Sequence, residues 1–161
     1  AKKEAYQAVF ADADAFNQKE YDADEANKMV SDAGYDDTIN DVEEAVDASG
    51  NVLGYVITVN AKDGSQGSIT FSVGIQKDGT VNGYSITDIS ETPGLGMKAE
   101  DEEFYSQFEN KKVDAFTVVK QTPSSDDQIE AITGSTITSK AMANGCNAAI
   151  LYFQNALGGA Q

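Results

Sequence analysis

The chain has 161 residues, carries 27 acidic against 11 basic side chains for a formal net charge of −16, and contains no histidine and no arginine. Such a surface repels a phosphate backbone, which excludes nucleic acid and a basic membrane-surface patch as modes of binding. Without histidine the usual general base and the commonest metal ligand are missing, and the single cysteine, Cys146, allows neither an internal disulfide nor a cysteine-rich metal site.

The length suits one domain, residues 1–161, with an apolar core large enough to stand without staples. No run approaches the roughly eighteen apolar residues that a membrane-crossing helix requires.

Ala5, Val9, Phe10, Ala13 and Phe16 recur at near-helical spacing and predict an amphipathic helix from Lys2 to about Phe16. A second, short helix is expected around Asp24 to Ser31, ended by Gly34. Four strand-like runs follow, at about Thr38–Val46, Val52–Ala61, Gly67–Gln76 and Val81–Ile89. They are separated by the turn sequences Ser49-Gly50-Asn51, Asp63-Gly64-Ser65 and Asp78-Gly79, which are hairpin signals. In the third run Ile69, Phe71, Val73 and Ile75 alternate with Ser68, Thr70, Ser72 and Gly74, predicting one face inward and the other toward water.

After Pro93 a short acidic helix is expected near Glu102 to Phe108, then a strand from Val113 to Lys120 and a polar loop to Gln128. The run Ile129, Ile132, Thr133 leads through Gly134 into a long helix that opens after Ser135 and Thr136 and runs to about Leu157. In that helix Met142, Cys146, Ala149, Ile150, Phe153 and Leu157 form one apolar stripe, so Cys146 reads as a small buried hydrophobe. The predicted fold is α+β: a twisted antiparallel meander flanked by an N-terminal helix and a long C-terminal helix.

The start of the last helix is the chemically suggestive place. The first N–H groups of a helix have no partner within it and the macrodipole is positive there, so a phosphate is stabilised without any arginine. Ser135 or Thr136 can equally act as an N-cap. About forty residues upstream, Glu91 to Met97 reads ETPGLGM, which by itself is also a Pro-Gly turn.

ETPGLG at Glu91–Gly96 followed by TGSTITSKA at Thr133–Ala141 resembles the FMN-binding domain of the G subunit of the Rnf electron transport complex. The related C subunit of the sodium-pumping quinone reductase shares the second motif. KKEAYQAVFADADAF at the start and FYSQFENK in the middle extend the resemblance over nearly the whole chain, while Glu130 and Ser135 replace a more usual aspartate and alanine.

The resemblance implies that a flavin transferase joins the phosphate of FMN to Thr136 as a phosphoester. Gly134 would let the backbone approach, Ser135 is small enough not to block it, and Ile137, Thr138 and Ser139 complete the surrounding contacts. Thr138 and Ser139 can also simply solvate a helix start. Glu91, Thr92, Gly94, Leu95 and Gly96 would face the flavin ring, with Lys120 as either a charge near the phosphate or a solvated surface lysine. Phe104 and Tyr105 are candidates for ring stacking or for the core.

The implied function is that of an electron-transfer subunit with covalent FMN in a membrane-bound, ion-translocating ferredoxin:NAD oxidoreductase. It docks on other Rnf membrane subunits, with no catalytic residues and no metal of its own. The same resemblance implies a single membrane anchor upstream of Ala1 and a position on the extracytoplasmic face of the cell membrane. A freestanding extracellular flavin-carrying module, and a non-redox anion-binding or interaction domain, are the alternatives.

Overall fold

The structure, a computed structural model, describes residues 2–35, 37–62, 68–89, 102–113, 115–131 and 136–157. Its centre is a five-stranded antiparallel sheet in sequence order, formed by β1 (Ala15–Gln18), β2 (Asp37–Val46), β3 (Val52–Lys62), β4 (Ser68–Gln76) and β5 (Val81–Ile89). The turns are where glycine predicted them: Gly50 and Gly79 have φ of 86° and 98°, a left-handed backbone that other residues reach with difficulty. Asp47 organises the first of these turns by accepting the Ser49 and Asn51 N–H groups at 2.9 Å. Those bonds, Asn51 foremost, hold its carboxyl below the usual aspartate value. The Asp63-Gly64-Ser65 turn lies outside the described residues.

Helix α1 (Lys2–Val9) is shorter than the apolar spacing predicts. The Phe10 N–H reaches Gln7 and the Ala13 N–H reaches Phe10, so the chain turns, and Asp14 then donates to the Val46 carbonyl. Phe16 accordingly sits in β1 rather than in a helix, pairing with Ala45. The cause is the open edge of β2, whose backbone groups from Glu43 to Val46 need partners. Helix α2 (Ala23–Asp32) matches the expectation: Asp22 caps it by accepting the Glu25 N–H, and Gly34 follows with φ of 95°.

The sheet is covered on both faces. Tyr6, Val9, Phe10 and Ala13 pack with Ala45 and Val56 on one side; on the other, α2 and the long helix α4 (Thr136–Ala156) close over Val42, Ile57, Phe71, Val73 and Ile75. The expectation that Ser72 and Gly74 face water is therefore incorrect. Ser72 is fully buried and hydrogen-bonded to Thr58 at 2.9 Å, and a Cβ at Gly74 would lie 2.5 Å from the Val9 carbonyl oxygen. Polar alternation marks this face because α1 lies on its backbone, where only small residues fit.

A β-bulge in β5 shifts the register between Gly74↔Gly83 and Ile75↔Val81. It frees Asn82 to donate to the Val9 carbonyl at 2.8 Å while accepting from Gln76 at 2.7 Å, which fastens α1 to the sheet. Beyond β5 come α3 (Glu102–Tyr105), a 3₁₀ turn (Ser106–Phe108), and a two-stranded parallel ribbon of β6 (Thr117–Val119) and β7 (Gln128–Glu130). β6 is three residues long rather than the eight predicted between Val113 and Lys120, since only that stretch finds a partner strand. Phe104, Phe108, Phe116, Tyr84 and Phe71 form a chain of edge-to-face contacts with centroids 4.9 to 5.4 Å apart. Phe104 thus belongs to the core, and Tyr105 packs half-buried against Tyr84.

Candidate functional site

Helix α4 begins at Thr136 and buries Met142, Cys146, Ala149, Ile150 and Phe153, as the stripe predicted. Its small residues let it lie close to the sheet: a Cβ at Gly145 would be 2.2 Å from Cζ of Phe71. At the other end of the helix the Phe153 ring meets Tyr55, with centroids 6.0 Å apart. Phe71 pairs with Val59 and Tyr55 with Ile75, so from Gly145 to Phe153 the helix passes from one rung of the β3–β4 ladder toward the opposite end of the sheet.

Extending the helix backward fixes its starting point. Thr136 precedes Gly145 by about 13 Å at a helical rise of 1.5 Å per residue, whereas Ile69, paired with Ile89, is about 7 Å from Phe71 along the strand. Helix α4 thus starts at the end of the sheet where β5 finishes. The segment 91–96 follows β5 and the segment 132–135 precedes α4, so both motifs join the described fold at one end. The residues Glu91, Thr92, Gly94, Leu95, Gly96, Gly134 and Ser135 themselves lie outside the described residues.

Thr136, Ile137 and Thr138 form the first turn of α4, their side chains again outside what is described, and that turn carries no acidic residue. The turn therefore brings no carboxylate of its own to compete for the first helix amides or to oppose an anion on them. Ser139 is fully buried, so its side chain belongs to the packed base of the helix rather than to a solvated helix start. Lys120 is exposed, directly after β6. Because β6 and β7 are parallel, and the Ala131 N–H donates to the Val119 carbonyl at 2.8 Å, Lys120 and the chain leading to Thr136 leave the ribbon at the same end.

Two side-chain amides, which the sequence did not single out, set this ribbon in place. Asn147, buried in α4, accepts the Phe116 N–H at 2.6 Å and donates to the Phe116 carbonyl at 3.0 Å, fixing the entry to β6. Gln107, in the 3₁₀ turn, does the same for Glu130 in β7, accepting at 2.7 Å and donating at 3.2 Å. Neither carries a pattern that sequence reading detects, since each is a lone amide whose partner is backbone far along the chain.

Cys146 is fully buried, and burial, with the nearby Asp37 carboxylate, pushes its thiol well above the ordinary range. The native protein is expected to resist a disulfide reagent at pH 8 over hours and to react fully once unfolded in guanidinium, which an absorbance assay with Ellman's reagent reads directly. An open cavity of about 370 Å³, lined by Val9, Phe10, Leu53, Gln76, Asn82 and Glu109, lies beside α1 and contains none of the predicted site residues.

Residues 64–151 match the family model of the FMN-binding domain. The G subunit of the proton-translocating ferredoxin:NAD(+) oxidoreductase complex of Clostridium ljungdahlii is 36% identical over 147 residues, covering 90% of this chain and 78% of that protein. The chain belongs to the FMN-binding domain family of Rnf-type G subunits. A further member, the G subunit of the Na(+)-translocating ferredoxin:NAD(+) oxidoreductase complex of Acetobacterium woodii, is 37% identical over 136 residues, with 83% of this chain and 65% of that one covered. Among solved structures, NqrC of Shewanella oneidensis superposes with a TM-score of 0.56 at 21% identity over 71% of this chain and 57% of that chain. That likeness bears on the fold alone, and it agrees with the α+β architecture inferred from the sequence. The family match covers both motifs of this FMN-binding domain, and FMN is the cofactor that its description names.

Proposed function

We propose that this FMN-binding domain is the electron-carrying part of an ion-translocating ferredoxin:NAD(+) oxidoreductase of the Rnf type, with FMN held on Thr136 as a phosphoester. What supports the reading is that β5, after which the chain runs into ETPGLG, finishes at the same end of the sheet as α4 starts with Thr136 and a first turn without acidic residues. In the attachment step the Thr136 hydroxyl oxygen bonds to the flavin-bearing phosphorus of FAD, the phosphoanhydride bond breaks, AMP leaves, and the hydroxyl proton passes to solvent. A flavin transferase is the partner that carries this out.

The first amides of α4 would hold the phosphate oxygens, with Lys120 adding positive charge from the neighbouring end of β6 and Thr138 a hydroxyl. Thr92 and Leu95 would meet the ring, the glycines at 94 and 96 permitting close backbone approach. Bound FMN supplies the redox chemistry, which fits a chain without histidine. Among the described residues there is no group of three metal-ligating side chains and no helix long and apolar enough to cross a membrane. The proposal places a membrane anchor upstream of Ala1 and the domain on the extracytoplasmic face, docked to the other membrane subunits of the complex.

Expression with an active flavin transferase tests the cofactor part. Acid-precipitated protein is expected to keep the yellow flavin absorbance in the pellet, at about one flavin per chain, and a colourless pellet with all flavin in the supernatant contradicts covalent attachment.

A further inference from the structure

In the parallel ribbon, Thr117 donates to the Asp127 carbonyl and Ala131 to the Val119 carbonyl, both at 2.8 Å. Parallel pairing uses alternate residues of β7 toward β6, so the N–H and C=O of Glu130 point to the opposite edge, where no strand lies among the described residues. Gln107 fills that edge. Its Oε1 accepts the Glu130 N–H at 2.7 Å, and its Nε2 donates to the Glu130 carbonyl at 3.2 Å and to the Phe104 carbonyl at 3.4 Å. One side chain thus acts as a rung of a missing strand and ties β7 to α3 and the 3₁₀ turn, whose Phe104 and Phe108 are anchored in the core.

Glu130 is the last residue of β7, and only residues 131–135 separate it from Thr136. A fully extended chain of that length spans only roughly 20 Å, so β7 and the buried part of α4 are the described anchors before and after the threonine, and freeing Glu130 loosens the one that precedes it. We propose that Gln107 is a positioning residue for flavin attachment, holding the end of β7 so that Thr136 is presented in one geometry to the transferase and its FAD. The inference rests on the phosphoester reading above. Since a displacement of about 1 Å can slow a group transfer by two orders of magnitude, losing this clamp should be felt in the rate of loading.

The experiment measures FMN incorporation over time by intact mass, using purified apo-protein, flavin transferase and FAD. Gln107→Ala is expected to load about tenfold more slowly than wild type, and hydrogen exchange at the Glu130 amide to quicken while amides of β3 and β4 stay protected. Asn82→Ala, which removes the hydrogen bond to Val9 on the far side of the sheet, is the control for general destabilisation and should load at the wild-type rate.

Gln107→Glu tests whether the two bonds to Glu130 are what matters. A carboxylate still accepts from the Glu130 N–H but faces its carbonyl, whereas the protonated form donates to that carbonyl. Its deficit, normalised to wild type at each pH, should therefore shrink as pH falls. Loading of both Gln107 variants at or above the wild-type rate, with wild type loading at Thr136, overturns the positioning role alone. A wild type that takes no FMN, or a Thr136→Ala variant that loads, overturns the phosphoester reading and this inference with it.

Discussion

Gly54→Val is expected to cost about 3 kcal/mol of stability, the upper part of the range for overpacking a close-packed interior. A Cβ at this position would lie 2.3 Å from the Ile75 carbonyl oxygen, 2.8 Å from Cα of Gln76 and 2.5 Å from Cζ of Phe10. Two of those three atoms are backbone of the adjacent strand, so no side-chain rotation relieves the clash. The strands must part or Phe10 must leave its place under α1, which opens the cluster of Tyr6, Val9, Ala13 and Val56. At about 2 to 4 °C per kcal/mol for a chain of this size, the midpoint of thermal unfolding should drop by about 6 to 12 °C. A midpoint within a degree of wild type would mean that Gly54 does not lie this close to β4 and Phe10.

The second large effect is expected at Asn147. Asn147→Leu keeps the volume but leaves the N–H and C=O of Phe116 buried beside a hydrocarbon, and each unsatisfied group costs about 1 to 3 kcal/mol. A loss of about 3 kcal/mol by urea unfolding is expected. Asn147→Asp separates the two bonds. Ionised, it can accept the Phe116 N–H but repels the carbonyl, and burial raises its pKa; protonated, it can donate. Such a group, with its folded pKa raised above the unfolded value, destabilises when charged, so the deficit should shrink as pH falls and grow as pH rises. Equal deficits for Asn147→Asp at pH 4 and pH 8 would show that the clamp to Phe116 carries little.

These two positions also mark where sequence reading stops. The four long strands were legible because apolar alternation and glycine turns are local signals, and Gly50 and Gly79 adopt the left-handed backbone that those turns require. Long α4 was legible from its stripe and its Thr136 start. β1 was not, because Ala15–Gln18 has no strand pattern of its own and forms only where β2 offers an open edge. Ser72 and Gly74 looked solvent-facing for a related reason: a short polar face reads the same whether water or a closely docked helix covers it.

The candidate site divides in the same way. The FMN-binding family was readable because ETPGLG and TGST are compact motifs, whereas the groups that hold the ribbon, Gln107 and Asn147, act through single hydrogen-bonded pairs across 23 and 31 residues of sequence. Nothing local in the chain announces them. Lys120, chosen because lysines are few, emerges from the ribbon at the same end as the chain that leads to Thr136, a placement that depends on the parallel pairing of β6 with β7.

Whether one hydroxyl carries the cofactor is decided by peptide mapping. Protein produced with an active flavin transferase is denatured, digested and sequenced by tandem mass spectrometry. An FMN-sized mass is expected on the peptide spanning residues 121–140, localised to Thr136 and absent from Thr136→Ala protein that retains the wild-type unfolding midpoint. An unmodified peptide from wild type, or an FMN mass that persists in Thr136→Ala, would contradict it.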